Sequence, residues 1–258
     1  MIEDHLTDGA AQDGPRSGDA WGALLLACFE AGAVPGAVLE LIERDDGFID
    51  GGDAARYFAR PDAWDALDRL ACAEARGRIL DVGAGAGRAA LYLQETGHDV
   101  VALDVSPGAV DVCRRRGVRR TVIGTLQDLV DADAEPFDTF LLLGTNLGLL
   151  ASSAQAPRFL NALARLAASD AVVLGRGMDP YYTLMQAHRA YHERNRALGR
   201  LPGQIRLRVR YQNLATPWFD YLFASVEEII ALLDGSAWML KRCETAGAGY
   251  LAMLQLRD

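Results

Sequence analysis

A chain of 258 residues, half of them hydrophobic and about a quarter charged, can bury a full core of its own, which excludes wholesale disorder and any need for metal or disulfide staples. Its net charge of −9 lacks the electrostatic footprint of phosphate-backbone binding and weighs against nucleic acid as substrate. Cys28, Cys72, Cys113 and Cys243 lie far apart without zinc-ligand spacing and read as reduced thiols.

No apolar run nears the roughly 20 residues of a membrane span, and the acidic start MIEDHLTDGAAQDGP is unlike a signal peptide, so a cytoplasmic protein is expected. Residues 1–19 are acidic, glycine-rich and poor in large apolar side chains, which predicts a mobile tail. Helical spacing of Leu24, Leu25, Cys28 and Phe29 predicts a helix over 21–33. Val38, Leu39, Leu41 and Ile42 predict another over 36–44. Breaks at Asp45-Asp46-Gly47 and Asp50-Gly51-Gly52 precede a helix over 61–75, so 20–76 reads as a helical lid.

From Arg78 the texture becomes strand, glycine-rich turn, helix, repeated. Strands are predicted over 78–82, 99–103, 121–124, 139–144 and 171–175, with helices over 88–96, 107–117 and 155–168 between them. Ser106 reads as an N-cap with Pro107 in the first helical position. Strands alternating with helices predict a parallel α/β sheet in a domain over 77–258. Asp179-Pro180 opens a predicted long helix to Gly199, with Asp179 as its N-cap. Residues 204–211 alternate Ile205, Leu207, Val209 and Tyr211 against Arg206, Arg208 and Arg210, which predicts a half-buried antiparallel strand. Further strands are expected over 218–223, 238–243 and 250–256 around a helix over 226–233, with 177–222 as a substrate-binding insertion.

The strongest signal is Ile79-Leu80-Asp81-Val82-Gly83-Ala84-Gly85-Ala86-Gly87, a strand running straight into glycines that open a helix. Such glycines let the backbone approach a ligand, and the helix start offers free N–H groups. A second strand ends in Leu103-Asp104, at the spacing where a carboxylate accepts from both ribose hydroxyls of a nucleoside. A dinucleotide fingerprint would want a small residue where Arg88 stands, and Asp81 would repel a pyrophosphate. A cationic nucleoside, S-adenosylmethionine, suits both.

Asp81 to Gly87 resembles the first motif of class I S-adenosylmethionine-dependent methyltransferases. Asp104 resembles that family's ribose-binding acid, Gly124-Thr125-Leu126-Gln127-Asp128-Leu129 its adenine-contacting turn, and Phe137 to Leu147 its fourth-strand motif. The resemblance covers about residues 57–256. It implies a Rossmann-like, mostly parallel sheet with an antiparallel C-terminal edge, beneath the helical lid. It further implies a cofactor site formed by Tyr57, Asp81, Gly83, Ala84, Gly85, Gly87, Asp104, Val105, Leu126, Gln127, Gly144 and Thr145. Methyl transfer to a small-molecule acceptor, leaving S-adenosylhomocysteine, is the expected reaction of a bacterial enzyme acting as monomer or homodimer. An NAD-dependent oxidoreductase and a non-catalytic S-adenosylmethionine-binding domain are the alternatives.

The family places acceptors over the C-terminal ends of the strands. His188 and His192 stand four residues apart on one helix face, a spacing that more often marks solvated or structural histidines, although one of them is the best candidate for a general base. Tyr181 and Tyr182 open the same helix, and Asn146 follows the fourth strand where the acceptor would lie. His188, His192, Tyr181 and Asn146 are therefore the catalytic candidates; no metal is expected. Tyr57-Phe58 reads either as a cover for the methionine end or as core. The arginines at 206, 208 and 210 read as the wet face of an edge strand or as a hold for an anionic acceptor. Trp218 and Tyr221 read as core or as an aromatic pocket.

Overall fold

The computed structural model describes residues 14–257 as two β-sheets with eight α-helices. The chain opens with β1 (Arg16–Ser17), α1 (Ala20–Glu30), β2 (Leu39–Arg44) and β3 (Ile49–Asp53). After 3₁₀ turns at Ala54–Phe58 and Pro61–Ala63 come α2 (Ala66–Glu74), β4 (Arg78–Val82), α3 (Arg88–Glu95), β5 (Asp99–Asp104), α4 (Pro107–Arg115) and β6 (Thr121–Ile123). Next are α5 (Leu126–Asp131), β7 (Phe137–Leu142), α6 (Ala156–Arg165), β8 (Ala167–Met178) and α7 (Gln186–Ala197). The chain closes with β9 (Gln204–Tyr211), β10 (Leu214–Ala215), β11 (Phe219–Leu222), α8 (Val226–Leu233), β12 (Trp238–Ala246) and β13 (Gly249–Leu256). Among the described residues no helix is long and apolar enough to cross a membrane.

The larger sheet runs β12-β13-β8-β7-β4-β5-β6. Strands β4 to β8 are parallel, and the β12–β13 hairpin adds the expected antiparallel edge. Its central strands are apolar on both faces, as a sheet covered on both sides requires. Leu80, Val82, Phe140 and Leu142 face a core with α5, α6 and α8, while Ile79 and Leu141 face one with α2 and α3. This α/β architecture is the one that the alternation of strands and helices predicts.

The smaller sheet, β1-β10-β9-β2-β3 with β11 also on β9, corrects the expected helical lid. Only α1 and α2 are α-helical before β4; of the helix expected over 36–44, residues 39–44 are instead strand β2, paired with β3 and β9. The misreading has a physical cause. Glu40 and Arg44 lie on the buried face with Ile42, so two charged residues hide the apolar alternation on which a strand reading depends. Trp64 and the N-cap Asp65 interrupt the helix expected over 61–75. The long helix expected from Pro180 is a 3₁₀ turn (Pro180–Tyr182), then Thr183–Met185, then α7; Asp179 caps only that turn. The segment expected to be a tail contributes β1, whose Arg16 N–H donates to Asn213 O at 2.8 Å; residues 1–13 lie outside the described residues. Strand β9 lies inside its sheet rather than at an edge. Arg208 and Arg210 pair across it with Glu43 at 2.8 and 3.4 Å, so these arginines are cross-strand ion pairs.

Candidate functional site

Strand β4 ends in Asp81-Val82, and the chain turns through Gly83, Gly85 and Gly87 at φ of +72°, +56° and +72°. Glycine alone adopts this backbone freely. Space is closed as well: a Cβ on Gly83 would come within 2.5 Å of Asn146 Nδ2, and one on Gly87 within 2.8 Å of Cys113 Sγ. The turn is fastened to β5. Gly83 and Ala84 donate their N–H groups to Leu103 O at 2.8 and 3.0 Å, and Gly85 donates to Asp104 Oδ2 at 2.8 Å. Asp104 Oδ1 accepts from Ser106 N–H at 2.9 Å. Burial raises the Asp104 pKa while these N–H groups oppose the shift. Its remaining lone pairs can take hydroxyl donors.

Asp81 lies deeper. Its Oδ2 is buried with no hydrogen-bond partner, and burial pushes its carboxyl up to about 7 against the pull of Arg88. An orphaned carboxylate oxygen costs stability until a donor reaches it, and an ammonium group is a fitting donor. Arg88, too large for a dinucleotide turn, ion-pairs with Asp68 and lies over the Trp64 ring at 5.0 Å. Arg176 donates to the same Asp68 at 2.9 Å and to Asp65 at 2.8 Å. Both guanidinium groups thus have partners on α2 or at its N-cap.

Two walls rise from this floor. In one, Asn146 Nδ2 donates to Val82 O and Gly83 O at 3.1 and 3.0 Å. Beside it Thr145 holds φ +70°, a conformation that a β-branched residue keeps only when its surroundings impose it. The Tyr221 hydroxyl fixes it by donating to Thr145 O at 2.7 Å. Tyr221 is buried, so its core reading holds and it still touches the site. In the other wall Trp21 sits 3.5 Å from where a Gly85 Cβ would be and takes Tyr57 edge-on, with ring centroids 4.7 Å apart. Tyr57 donates to buried Glu40.

Other candidates line the rim. Val105, after Asp104, is 67 % exposed, and Gly144 is exposed after β7. Leu126 is buried at the start of α5, where Thr125 and Asp128 form a capping box, and Gln127 donates to Asp131 at 2.8 Å. The catalytic candidates on α7 and before it have partners of their own. His188 Nδ1 lies 2.9 Å from Thr183 Oγ1 with its ring against Phe48, while His192 packs by Tyr181. Burial lowers both imidazole pKa values, and Tyr181 donates to Glu228 on α8 at 2.6 Å. The structure thus gathers Tyr57, Asp81, the glycines, Asp104, Thr145 and Asn146, and ties His188, His192 and Tyr181 to other partners. Sequence reasoning missed Asp19, Glu40 and Trp21. Asp19 alone left a signal, as an acid placed to cap the helix after it. A cavity of about 670 Å³ with Arg78, Arg114, Arg119 and Arg120 in its wall opens at the opposite edge of the sheet, where β4, β6 and β7 begin.

Comparison with known proteins agrees with this geometry. A family model described as a methyltransferase domain matches residues 79–170. A structure of an S-adenosylmethionine-dependent methyltransferase from Bacteroides fragilis, in complex with S-adenosyl-L-homocysteine, is 26 % identical, with a TM-score of 0.76 over 93 % of this chain and 95 % of that one. The CcbJ methyltransferase of Streptomyces caelestis shares the fold at 12 % identity, with a TM-score of 0.55 over 76 % and 94 %. So does a 1,6-didemethyltoxoflavin-N1-methyltransferase of Burkholderia thailandensis, at 19 % identity, with a TM-score of 0.50 over the full length of both chains.

Proposed function

We propose that this chain, whose residues 79–170 match a methyltransferase-domain model, is a class I S-adenosylmethionine-dependent methyltransferase that methylates a small molecule between its two sheets. The observation that carries the cofactor assignment is the unpartnered Asp81 Oδ2 beside a glycine turn whose next acid, Asp104, still has lone pairs to offer. S-adenosylmethionine supplies a methyl group made electrophilic by its sulfonium.

The chain's own residues do the rest. Asp81 holds the ammonium end, the turn from Gly83 to Gly87 admits the ligand to backbone contact, and Asp104 holds the ribose hydroxyls. Val105, Leu126 and Gln127 flank the base, while Gly144 and Thr145 bound the methionine end with Tyr57 above. Asn146 positions the turn by gripping the carbonyls of Val82 and Gly83. The smaller sheet keeps water from the reacting atoms and orients the acceptor, which is where most of the rate of such a displacement arises.

A small acceptor is favoured by the cover itself. Trp21, with Tyr57 and Glu40 behind it, stands beside the glycine turn and presents no flat basic surface there for a polyanion, and the chain carries a net charge of −9. The toxoflavin-related enzyme, which has a small heterocycle bound, supports the reading that this fold takes such acceptors. Calorimetry with S-adenosylmethionine, S-adenosylhomocysteine and NAD tests the cofactor, and binding of NAD alone would overturn it. A gain of one methyl mass in a panel of small compounds, and none in RNA or protein, tests the acceptor class.

A further inference from the structure

Around the proposed methionine end the contacts form two arcs, one above Gly83 and one above Gly85. Asn146 sits on Gly83, and its Oδ1 lies 3.4 Å from the Tyr221 hydroxyl. Across from it, Trp21 rests on Gly85 and Tyr57 meets Trp21. Next to Tyr57 stands Glu40, on the inward face of β2 and only 2 % exposed. Its oxygens accept from the Tyr57 hydroxyl at 3.0 and 2.9 Å. Arg56, half-exposed, pairs with it from the solvent side. A carboxylate has about four acceptor positions, so this one is not saturated by two partners. Both phenols are pushed up by burial and stay neutral donors. His188 and His192 on α7 have their partners elsewhere among the described residues, at Thr183, Phe48 and Tyr181.

We propose that Glu40 takes the proton of the acceptor's attacking atom, so that the acceptor is a proton-bearing nucleophile, an amine or a hydroxyl compound. This rests on the methyltransferase reading above. As the acceptor's lone pair bonds to the methyl carbon, the carbon–sulfur pair departs onto sulfur and the acceptor's proton passes to a Glu40 oxygen. The sulfonium and carboxylate charges vanish together, which a buried site favours. A carboxylate acceptor would instead crowd two buried anions, which is costly.

The test needs no knowledge of the acceptor. Sinefungin carries an ammonium-bearing carbon where the cofactor has its methylated sulfur, so it places a cation with N–H donors at the reacting position. The full-length protein should prefer sinefungin to S-adenosylhomocysteine. Glu40→Gln should weaken sinefungin about tenfold or more, the worth of one charged hydrogen bond, and leave S-adenosylhomocysteine within about twofold. Equal losses for both ligands, or no loss for either, would overturn the proposal and leave the methyltransferase reading standing. Failure of the parent protein to bind S-adenosylhomocysteine would remove that reading and the proposal with it. Arg56→Met, at an exposed position, frees Glu40 and should raise the sinefungin preference; an unchanged preference overturns the proposal even if Glu40→Gln does not fold.

Discussion

The Asp19 carboxylate accepts the Ser106 hydroxyl on both oxygens, at 2.8 and 2.9 Å, so that the residue before α1 and the residue before α4 are held together. Asp19 also accepts from Gly22 and Gly108 N–H, and Ser106 N–H donates to Asp104, the proposed ribose acid. One carboxylate therefore caps α1, reaches the first turn of α4 and is joined through Ser106 to the proposed ribose site. Asp19→Ala should cost about 1–2 kcal/mol of stability, seen as a fall of several degrees in melting temperature. A chain starting at Ala20 lacks β1 as well and should lose more. An unchanged melting temperature for Asp19→Ala would dismiss the latch.

Asp104→Ala should abolish measurable S-adenosylhomocysteine binding in calorimetry, because two charge-assisted bonds at about 1.5–3 kcal/mol each disappear. It also orphans the N–H groups of Gly85 and Ser106, so the circular dichroism of the variant must be compared with the parent. Asp104→Asn keeps one acceptor and should retain weak binding. A folded Asp104→Ala protein with parental affinity would refute the ribose assignment.

With its carboxyl at about 7, Asp81 is mostly protonated at pH 6 and mostly ionised at pH 8. Recognition of an ammonium group needs the ionised form, so S-adenosylhomocysteine should bind about tenfold more weakly at pH 6 than at pH 8. Stability of the ligand-free protein runs the opposite way through this group. Its folded pKa exceeds the unfolded one, so the folded state holds the extra proton and loses stability as pH rises from about 4 to about 7. Titrations across this range check both signs. Asp81→Asn should flatten the binding profile; a profile that keeps its slope would place the proton on another group.

Tyr221→Phe removes the donor that holds Thr145 O and should cost about 1–3 kcal/mol. Thr145 already stores strain of similar size in its left-handed backbone. Thr145→Gly in the Tyr221→Phe background should therefore restore part of the melting temperature, because glycine needs no such restraint. No recovery would mean that the Tyr221 hydroxyl matters for another reason.

The parallel sheet and its glycine turn were legible because each element is short-range: an apolar strand, a turn of the correct glycines, a capped helix. Strand β9 was legible through the strict alternation of Ile205, Leu207 and Val209 with arginines. Strand β2 was not, since its partner Val209 lies far along the chain and its inward Glu40 and Arg44 look like surface residues. The site divides the same way. Asp81 and Asp104 stand at strand ends that a period can find, whereas Glu40 and Trp21 join the site only through tertiary packing. His188 and His192 show the converse: a suggestive spacing whose side chains find partners on their own segment and at Phe48.

The smaller sheet is woven from two stretches, 16–53 and 204–222, with the whole cofactor-binding core between them in sequence. Neither stretch can form it alone, so the cover assembles only after the core has brought the two together, a late event in folding. For the same reason, an acceptor site under this cover, as proposed, would have its preference written in two distant places. Exchange of one stretch between related enzymes should yield a cofactor-binding protein with a broken cover, and only a paired transplant of both should carry substrate choice from one enzyme to another.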